Sequence, residues 1–281
     1  VAHYIRKILL VSDNDAFNRL YEFLGQEYIN DRLHAMGFDS AQIMHRLSLP
    51  LTEEQNRYTN PIFFMDSSGN RLYDQYAMES KYVFAARSTR MGRGYMQEGR
   101  LVTGPFDFSR KNRLALTDLH RIMKSVIFPQ SVPRKQRFHL SKEDYRFLYR
   151  YLGMFPRESG FSCYETGEYP DKFAKLFLFS PKGDCNLRIF SKAGWAYGFL
   201  TDAAYIIDTK NNVEFLLSAT IYCNGDGVFN DDRYDYESIG YPFMRQLAQA
   251  IYEYELDRPR QHKPDLSGFL FDYSTGNANT H

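Results

Sequence analysis

Apolar residues near the amino end recur at helical intervals, and a short polar segment of three residues interrupts this pattern. Over residues 4–24 the apolar positions follow a helical period on both sides of Ser12-Asp13-Asn14, whose residue types favour the start of a helix. Gly25 then supplies a C-cap. The pattern predicts a loop over residues 12–14 and three helices, over residues 4–11, 15–25 and 27–36.

The next part of the chain has strand and loop signals. Residues 48–61 are polar, contain two prolines and have no period, which predicts a surface loop. Residues 62–76 read as two strands joined at residues 67–70, and residues 82–86 read as a further strand. The sequence therefore predicts a β-rich insertion at about residues 61–108.

The second half changes from helical to strand patterns. Amphipathic helices are predicted over residues 116–128 and from Ser141 through residue 155. Residues 186–191, 196–208 and 213–223 are rich in β-branched and aromatic residues, which predicts a three-stranded antiparallel meander. A helix over residues 241–256 follows. The resulting prediction is an α+β fold with three parts: a helical lobe (1–185), a sheet with its C-terminal helix (186–257) and a loosely held polar tail (258–281).

Composition excludes several classes of function. Of 281 residues, 35 are Lys or Arg and 34 are Asp or Glu, so a net charge of +1 favours neither nucleic acid nor an anionic membrane as partner. No run approaches the roughly 20 apolar residues that span a bilayer, and no signal segment precedes the first helix. Val1 is not expected to be a natural start.

Cysteine and histidine spacing gives no metal or redox motif. Cys163, Cys185 and Cys223 are far apart without C-x-x-C spacing, and the 7 histidines include no H-x-x-x-H pair. We therefore expect no metal and no cofactor. Buried free thiols and a single disulfide between Cys163 and Cys185 both remain open.

Two motifs in order carry the chemical signal. Ser12-Asp13-Asn14 lies on a loop between two predicted helices, and Lys192-Ala193-Gly194 follows a strand and precedes Trp195. In these settings the chain resembles the β-lactamase/transpeptidase superfamily, in particular class A β-lactamases. The resemblance implies an α+β fold with a helical lobe and an antiparallel sheet covered by a C-terminal helix. It also implies an extracytoplasmic location and a small-molecule or peptidoglycan-like substrate.

The resemblance assigns roles in acyl transfer through a serine acyl-enzyme. The Ser12 hydroxyl would relay a proton to the leaving group, the Asn14 amide would hold the substrate's amide, and Asp13 would brace the loop. Lys192 would place a cation near Ser12 and the substrate carboxylate. The alternatives from the residues alone are a helix N-cap cluster for the first three and a surface lysine at a strand end for Lys192.

The strand motif departs from the family pattern at one position. Gly194 would let the strand approach a ligand, and the Trp195 N–H would stand where the family has an oxyanion donor. Ala193 occupies the position of a Thr or Ser, so a hydroxyl that helps to bind the substrate carboxylate is absent. Glu54, or its neighbour Glu53, is the candidate base for deacylation.

The larger departure concerns the nucleophile. The family's Ser-x-x-Lys precedes Ser-Asp-Asn, but no lysine in this sequence has a serine three positions before it. We therefore expect an inactive fragment. The alternatives are a non-catalytic binding or interaction module and a penicillin-binding D-alanyl-D-alanine peptidase or transpeptidase. Self-association is expected through the sheet edge where the family's first strands belong.

Finally, the region between the two motifs is longer than a compact β-lactamase needs. Ser12 and Lys192 are 180 positions apart, and the excess falls in the insertion, which could shape a different substrate cleft. Four arginines in this region, Arg87, Arg90, Arg93 and Arg100, either bind an anion or belong to a solvated loop.

Overall fold

A computed structural model describes residues 1–165, 169–179 and 186–274. Its helices fall mainly in the first half and at the carboxyl end. They are α1 (Ala2–Val11), α2 (Asn14–Leu24), α3 (Gln26–Ala35), α4 (Glu53–Arg57), α5 (Leu116–Ile127), α6 (Lys142–Gly153), α7 (Ser162–Glu165), α8 (Asp171–Ala174) and α9 (Tyr241–Asp257). None of these described helices is long and apolar enough to cross a membrane.

The predicted helices α1, α2 and α3 end within one or two residues of their expected bounds because local caps set them. Asp13 accepts the N–H of Ala16 at the start of α2, and Gly25 follows its end. The expectation of a plain loop over residues 48–61 is wrong. Thr52 and Gln55 form a capping box that starts α4 in the middle of this segment.

The insertion contains six short strands between residues 62 and 107. They are β1 (Ile62–Met65), β2 (Arg71–Gln75), β3 (Arg90–Met91), β4 (Gly94–Gln97), β5 (Arg100–Thr103) and β6 (Phe106–Asp107). β1 and β2 form the predicted hairpin. The strand predicted at residues 82–86 is wrong. Among the described residues this segment has no strand partner, and side chains hold it instead: Arg57 Nη1 donates to the Tyr82 carbonyl and Gln42 Nε2 to the Ala85 carbonyl.

The principal sheet is the predicted antiparallel meander, in the order β7 (Leu187–Ala196), β8 (Phe199–Asp208) and β9 (Val213–Tyr222). The predicted bounds of its first two strands are wrong. β7 continues through Lys192-Ala193-Gly194, and the chain reverses at Tyr197 and Gly198, whose φ angles are 54° and 81°. Positive φ at both positions is the geometry of a tight two-residue hairpin turn.

Both faces of this sheet are covered. On one face, α9 places Met244 and Ala248 against a core that includes Leu200 and Ile206. On the other face, Met123 of α5 and Leu152 of α6 pack against Phe190 and Tyr205, and α1 lies against α6. The molecule is therefore a mixed α+β structure in which α1 reaches the β7 side of the sheet through α6.

The expectation of a loosely held tail is wrong for the described residues after α9. Leu266, Phe269 and Tyr273 are buried, and Phe269 packs within 4.8 Å of the ring of Tyr205 and 5.4 Å of that of Phe190. The segment is polar on average, but a few of its apolar residues pack on α6 and the sheet, and the average composition does not reveal them.

A short strand after the sheet connects it to the insertion. β10 (Val228–Phe229) lies between β9 and α9 and pairs in parallel with β4. Cys223 is a buried free thiol. The possible pairing of Cys163 with Cys185 lies outside the described side chains.

Candidate active site

Ser12 ends α1 in a left-handed conformation, with φ 57° and ψ 39°. The loop that carries it is fixed from both sides, because Asp13 caps α2 and forms an ion pair of 2.7 Å with Lys7 of α1. Burial opposes the charged form of Asp13, but the bonds from Lys7 and the Ala16 N–H outweigh it and lower the pKa of this carboxyl. Asp13 therefore orients the loop, and the Ser12 side chain remains exposed.

Lys192 reaches this loop from β7, an edge strand of the sheet. Its Nζ donates to Ser12 Oγ at 2.7 Å and to the Ala193 carbonyl at 2.6 Å. Burial among protein atoms lowers the pKa of Lys192 to about 8, although the negative charge of Asp202 acts in the opposite direction. The ammonium group is thus held beside the serine hydroxyl and can lose its proton near neutral pH.

A cavity of about 250 Å³ opens beside the two residues. Its lining is mostly apolar and comes from α1, the turn after α6, the segment around α8, and β7. It includes Leu9, Val11, Pro156, Tyr169, Phe173 and Trp195. Trp195 is 54% exposed at this edge. An apolar wall beside the Ser12 hydroxyl and the Lys192 ammonium suits a largely apolar ligand that carries an anionic group.

The backbone of β7 adds donors to the site. Ala196 and Phe199 flank the two-residue turn and form a hydrogen-bonded pair, so alternate residues of β7 direct their N–H groups away from β8. The N–H groups of Ala193 and Trp195 consequently point to the open edge. No described atom lies within 4 Å of where a Gly194 Cβ would stand, so the space beside this glycine is open.

A buried carboxylate stands behind this strand, and sequence reasoning missed it. Asp202 of β8 pairs in register with Ala193, is fully buried, and accepts the N–H of Leu176 through Oδ2. Within the described residues its Oδ1 has no partner. The sequence contained a signal for this residue, since an aspartate inside an otherwise apolar strand indicates a buried charged group.

The neighbouring Lys175 is also fully buried and donates to the Leu152 carbonyl. Burial lowers the pKa of Lys175 and raises that of Asp202, and the opposite charge of each group limits the shift of the other. Lys192 and Lys175 therefore share Asp202 as a buried counter-charge.

Asn14 is the first residue of α2, two residues after Ser12, and is linked through Ser48 to a second cleft. Its Nδ2 donates to Ser48 Oγ at 2.8 Å. Ser48 lines a cavity of about 520 Å³ together with His45, Leu49, Glu53, Arg110, Lys111 and Tyr197. We call this cavity the second cleft. Trp195 of β7 lines the first cavity and Tyr197 of the following turn lines the second cleft, whereas the Ser12 loop lines only the first cavity.

The structure does not bring Glu54 to either cavity. Glu54 is exposed on α4, whereas its neighbour Glu53 lines the second cleft and pairs with Arg110 at 3.4 Å and Arg57 at 3.6 Å. Of the two glutamates named from the sequence, Glu53 is thus the one that faces a ligand space, and it is already paired with cations.

The four arginines of the insertion do not form a common site. Arg87 donates to the carbonyls of Phe108 and Ser109, and Arg90 is 3.8 Å from Asp107. Arg93 and Arg100 are exposed. Arg87 and Arg90 thus connect parts of the insertion, which favours the structural alternative for these two residues.

The α+β fold, with a hydroxyl-bearing loop beside a lysine-bearing strand, is similar to that of β-lactamase/transpeptidase-like proteins. Residues 1–137 match the family model Beta-lactamase2, described as the Beta-lactamase enzyme family. The match confirms the superfamily and the α+β fold class that the sequence indicated. It covers just under half of the chain and ends before Lys192. A comparison with curated proteins gave no match.

Proposed function

We propose that the cavity at Ser12 and Lys192 is part of the acyl-transfer site of a β-lactamase-like serine hydrolase. Its substrate would be an amide or ester with a nearby carboxylate. The observation that carries the proposal is the 2.7 Å hydrogen bond from Lys192 Nζ to Ser12 Oγ beside an apolar cavity. By the same resemblance we propose that the protein acts outside the cytoplasm.

In this proposal Lys192 binds the substrate carboxylate and sets the direction of proton transfer. Because the ammonium donates to Ser12 Oγ, the Ser12 hydroxyl proton is free to be given to the leaving nitrogen or oxygen. Lys192 can then restore the proton, which its lowered pKa favours. The outward N–H of Trp195 suits the oxyanion that forms when a serine oxygen adds to the carbonyl carbon. We assign no nucleophile, since this sequence contains no Ser-x-x-Lys.

A second candidate function is a binding or interaction module that retains the cleft without turnover. Ala193 favours it, because no hydroxyl is present at that position to hold a carboxylate. A penicillin-binding peptidase or transpeptidase is the third candidate, and it differs from a hydrolase in keeping its acyl adduct.

The test is binding and turnover of benzylpenicillin, which has an amide and a nearby carboxylate. Calorimetry should show binding that weakens by about tenfold to a hundredfold in Lys192→Met, because a charge-assisted bond is lost. Lys210→Met is the matched control, since residue 210 lies in the β8–β9 turn, at the opposite end of the sheet from Tyr197 and Gly198.

Intact-mass spectrometry and product analysis then separate the candidates. Released penicilloate supports the hydrolase and a lasting adduct supports the peptidase, and either result would reveal a nucleophile that the Ser-x-x-Lys pattern does not identify. Reversible binding alone supports the module. Equal affinity of Lys192→Met and the unchanged protein, or no binding at all, would refute the proposed site.

A further inference from the structure

We propose that the second cleft is a subsite for an anionic group on the acyl side of the substrate, with Lys111 as the residue that selects for it. The inference rests on the proposed function and narrows its substrate class to acyl compounds with two anionic groups. Lys192 would hold one of these groups and Lys111 the other.

The first support is the environment of Lys111. Its Nζ lies 5.6 Å from the ring centroids of both Phe106 and Tyr197, and its side chain is half-buried. Across the described parts of the chain, no carboxylate oxygen lies within 4.0 Å of this Nζ. The ammonium is held by ring faces rather than by an acid, so it is partly desolvated and its charge is available to an anion.

The second support is the rigidity of the rings beneath it. Phe106 and Tyr197 stack at 5.7 Å, and Phe108 meets Tyr197 at 5.2 Å and Phe229 at 5.0 Å. Phe229 is fully buried and belongs to β10, which pairs with β4. The insertion is thereby fixed to the turn that ends β7, and Lys111 has a defined position relative to Trp195 and Lys192.

The third support is the charge balance of the cleft. Its one acidic lining residue, Glu53, is paired with Arg110 and Arg57. Burial, with a contribution from the charge of Lys111, lowers the pKa of His45, and the ring is satisfied as the neutral form: Nδ1 donates to the Arg46 carbonyl and Nε2 accepts the Asn112 N–H. Arg46 also lines the cleft and is paired with Glu22, and the single carboxylate of Glu53 is shared by two guanidinium groups. The cleft therefore carries net positive charge, and among the described residues Lys111 is its lining cation without a carboxylate within 4.0 Å.

The fourth support is the connection between the two cavities. Ser48 of the second cleft accepts a hydrogen bond from Asn14, which is two residues from Ser12. Tyr197 of the second cleft is two residues from Trp195 of the first cavity. A substrate whose amide contacts Asn14 would therefore extend one end toward Lys192 and the other toward Lys111.

The test compares two penicillins that differ by one carboxylate on the acyl side chain, carbenicillin and benzylpenicillin. Calorimetry should show carbenicillin binding about tenfold more tightly, as expected for one added charge-assisted contact. Lys111→Met should remove this preference. Lys111→Arg should retain most of it, and Lys210→Met, which removes one positive charge at a distant turn, should retain all of it. Circular dichroism establishes that each variant is folded.

A fragment pair separates the subsite from the proposed function. Phenylmalonate carries the side-chain carboxylate of carbenicillin and a second carboxylate in place of its amide carbonyl, phenylacetate carries only the latter, and neither contains a β-lactam. One outcome would refute the proposed function and retain the anionic subsite. In it, the protein binds phenylmalonate but neither penicillin, and Lys111→Met abolishes the phenylmalonate binding. Equal affinities for both penicillins, a preference that persists in Lys111→Met, or absence of binding by every probe would overturn the inference.

Discussion

Lys192 Nζ and Ser12 Oγ, 180 positions apart in the sequence, form a hydrogen bond of 2.7 Å. The contact exists because α1 packs against α6, α6 packs against β7, and β7 lies at the edge of its sheet. One half of the pair comes from a helix end and the other from a strand, so neither local pattern alone describes the site.

The affinity for a carboxylate ligand should depend on pH through Lys192. The pKa of Lys192 is about 8, so the binding ammonium form is fully present below that pH and is lost as pH rises. Because a bound anion raises this pKa, benzylpenicillin affinity should be constant at low pH and fall by about tenfold per unit above pH 8. Calorimetry from pH 6 to 10 measures it.

Lys192→Arg is the control for this dependence, because a guanidinium keeps its charge across the range. If Lys192→Arg binds benzylpenicillin, the affinity of this variant should not fall above pH 8. An unchanged affinity of the original protein up to pH 10 would contradict the assignment of the carboxylate to Lys192.

Truncation of one tail residue should destabilise the whole fold. Phe269 is 8% exposed and packs on Phe190 and Tyr205, whereas its neighbour Leu270 is 57% exposed. Phe269→Ala should lower the free energy of unfolding by about 3–5 kcal/mol and Leu270→Ala by less than about 0.5 kcal/mol. Urea denaturation measures both, and similar small losses would mean that the tail does not pack on the sheet.

Elements with local signals were predictable from the sequence. α2 follows from Asp13 and Gly25, because a cap and a helix-ending glycine act within one turn. The strand expected at residues 82–86 was wrong, since strand formation needs a partner that composition does not reveal. The extent of β7 was also wrong, because the turn at Tyr197 and Gly198, not the apolar pattern, determines where it ends.

The site was predictable only in part. Family resemblance named Ser12 and Lys192, and the structure places them together. Asp202 and Lys111 were missed because their importance comes from neighbours distant in sequence: a register partner in β7 for Asp202, and the ring of Tyr197 for Lys111. Glu54 was favoured over Glu53 without knowledge of α4, whose turn decides which of the two faces the second cleft.

Gly92 should be intolerant of any side chain. Its φ is +77°, and an added Cβ would stand 2.5 Å from both the Gly227 carbonyl oxygen and a ring carbon of Phe229. Gly69 is the control, because its φ is +83° but no described atom lies within 4 Å of its Cβ position. Gly69→Ala should cost about 1 kcal/mol of unfolding free energy from backbone strain alone.

Gly92→Ala should cost about 3 kcal/mol or more, since overpacking against backbone adds to the same strain. Thermal unfolding followed by circular dichroism gives both values. Since Phe229 supports the rings beneath Lys111, Gly92→Ala should also weaken the binding of carbenicillin more than the binding of benzylpenicillin. Equal stability of the two alanine variants would show that the insertion does not pack on β10 in this way.

The outer edge of β9 should drive self-association. Within the described ranges, β9 ends the order β7, β8, β9 and has no strand on its far side, and exposed edges offer unpaired N–H and carbonyl groups to a second chain. Light scattering should therefore show a mass that rises with protein concentration.

Thr220→Lys places a charge on the exposed part of this strand and should reduce association, because lysine on an edge opposes strand pairing. Thr117→Lys makes the same exchange at an exposed position of α5 and should leave association unchanged. A single monomeric mass at every concentration, for all three proteins, is the result that would rule out pairing through β9.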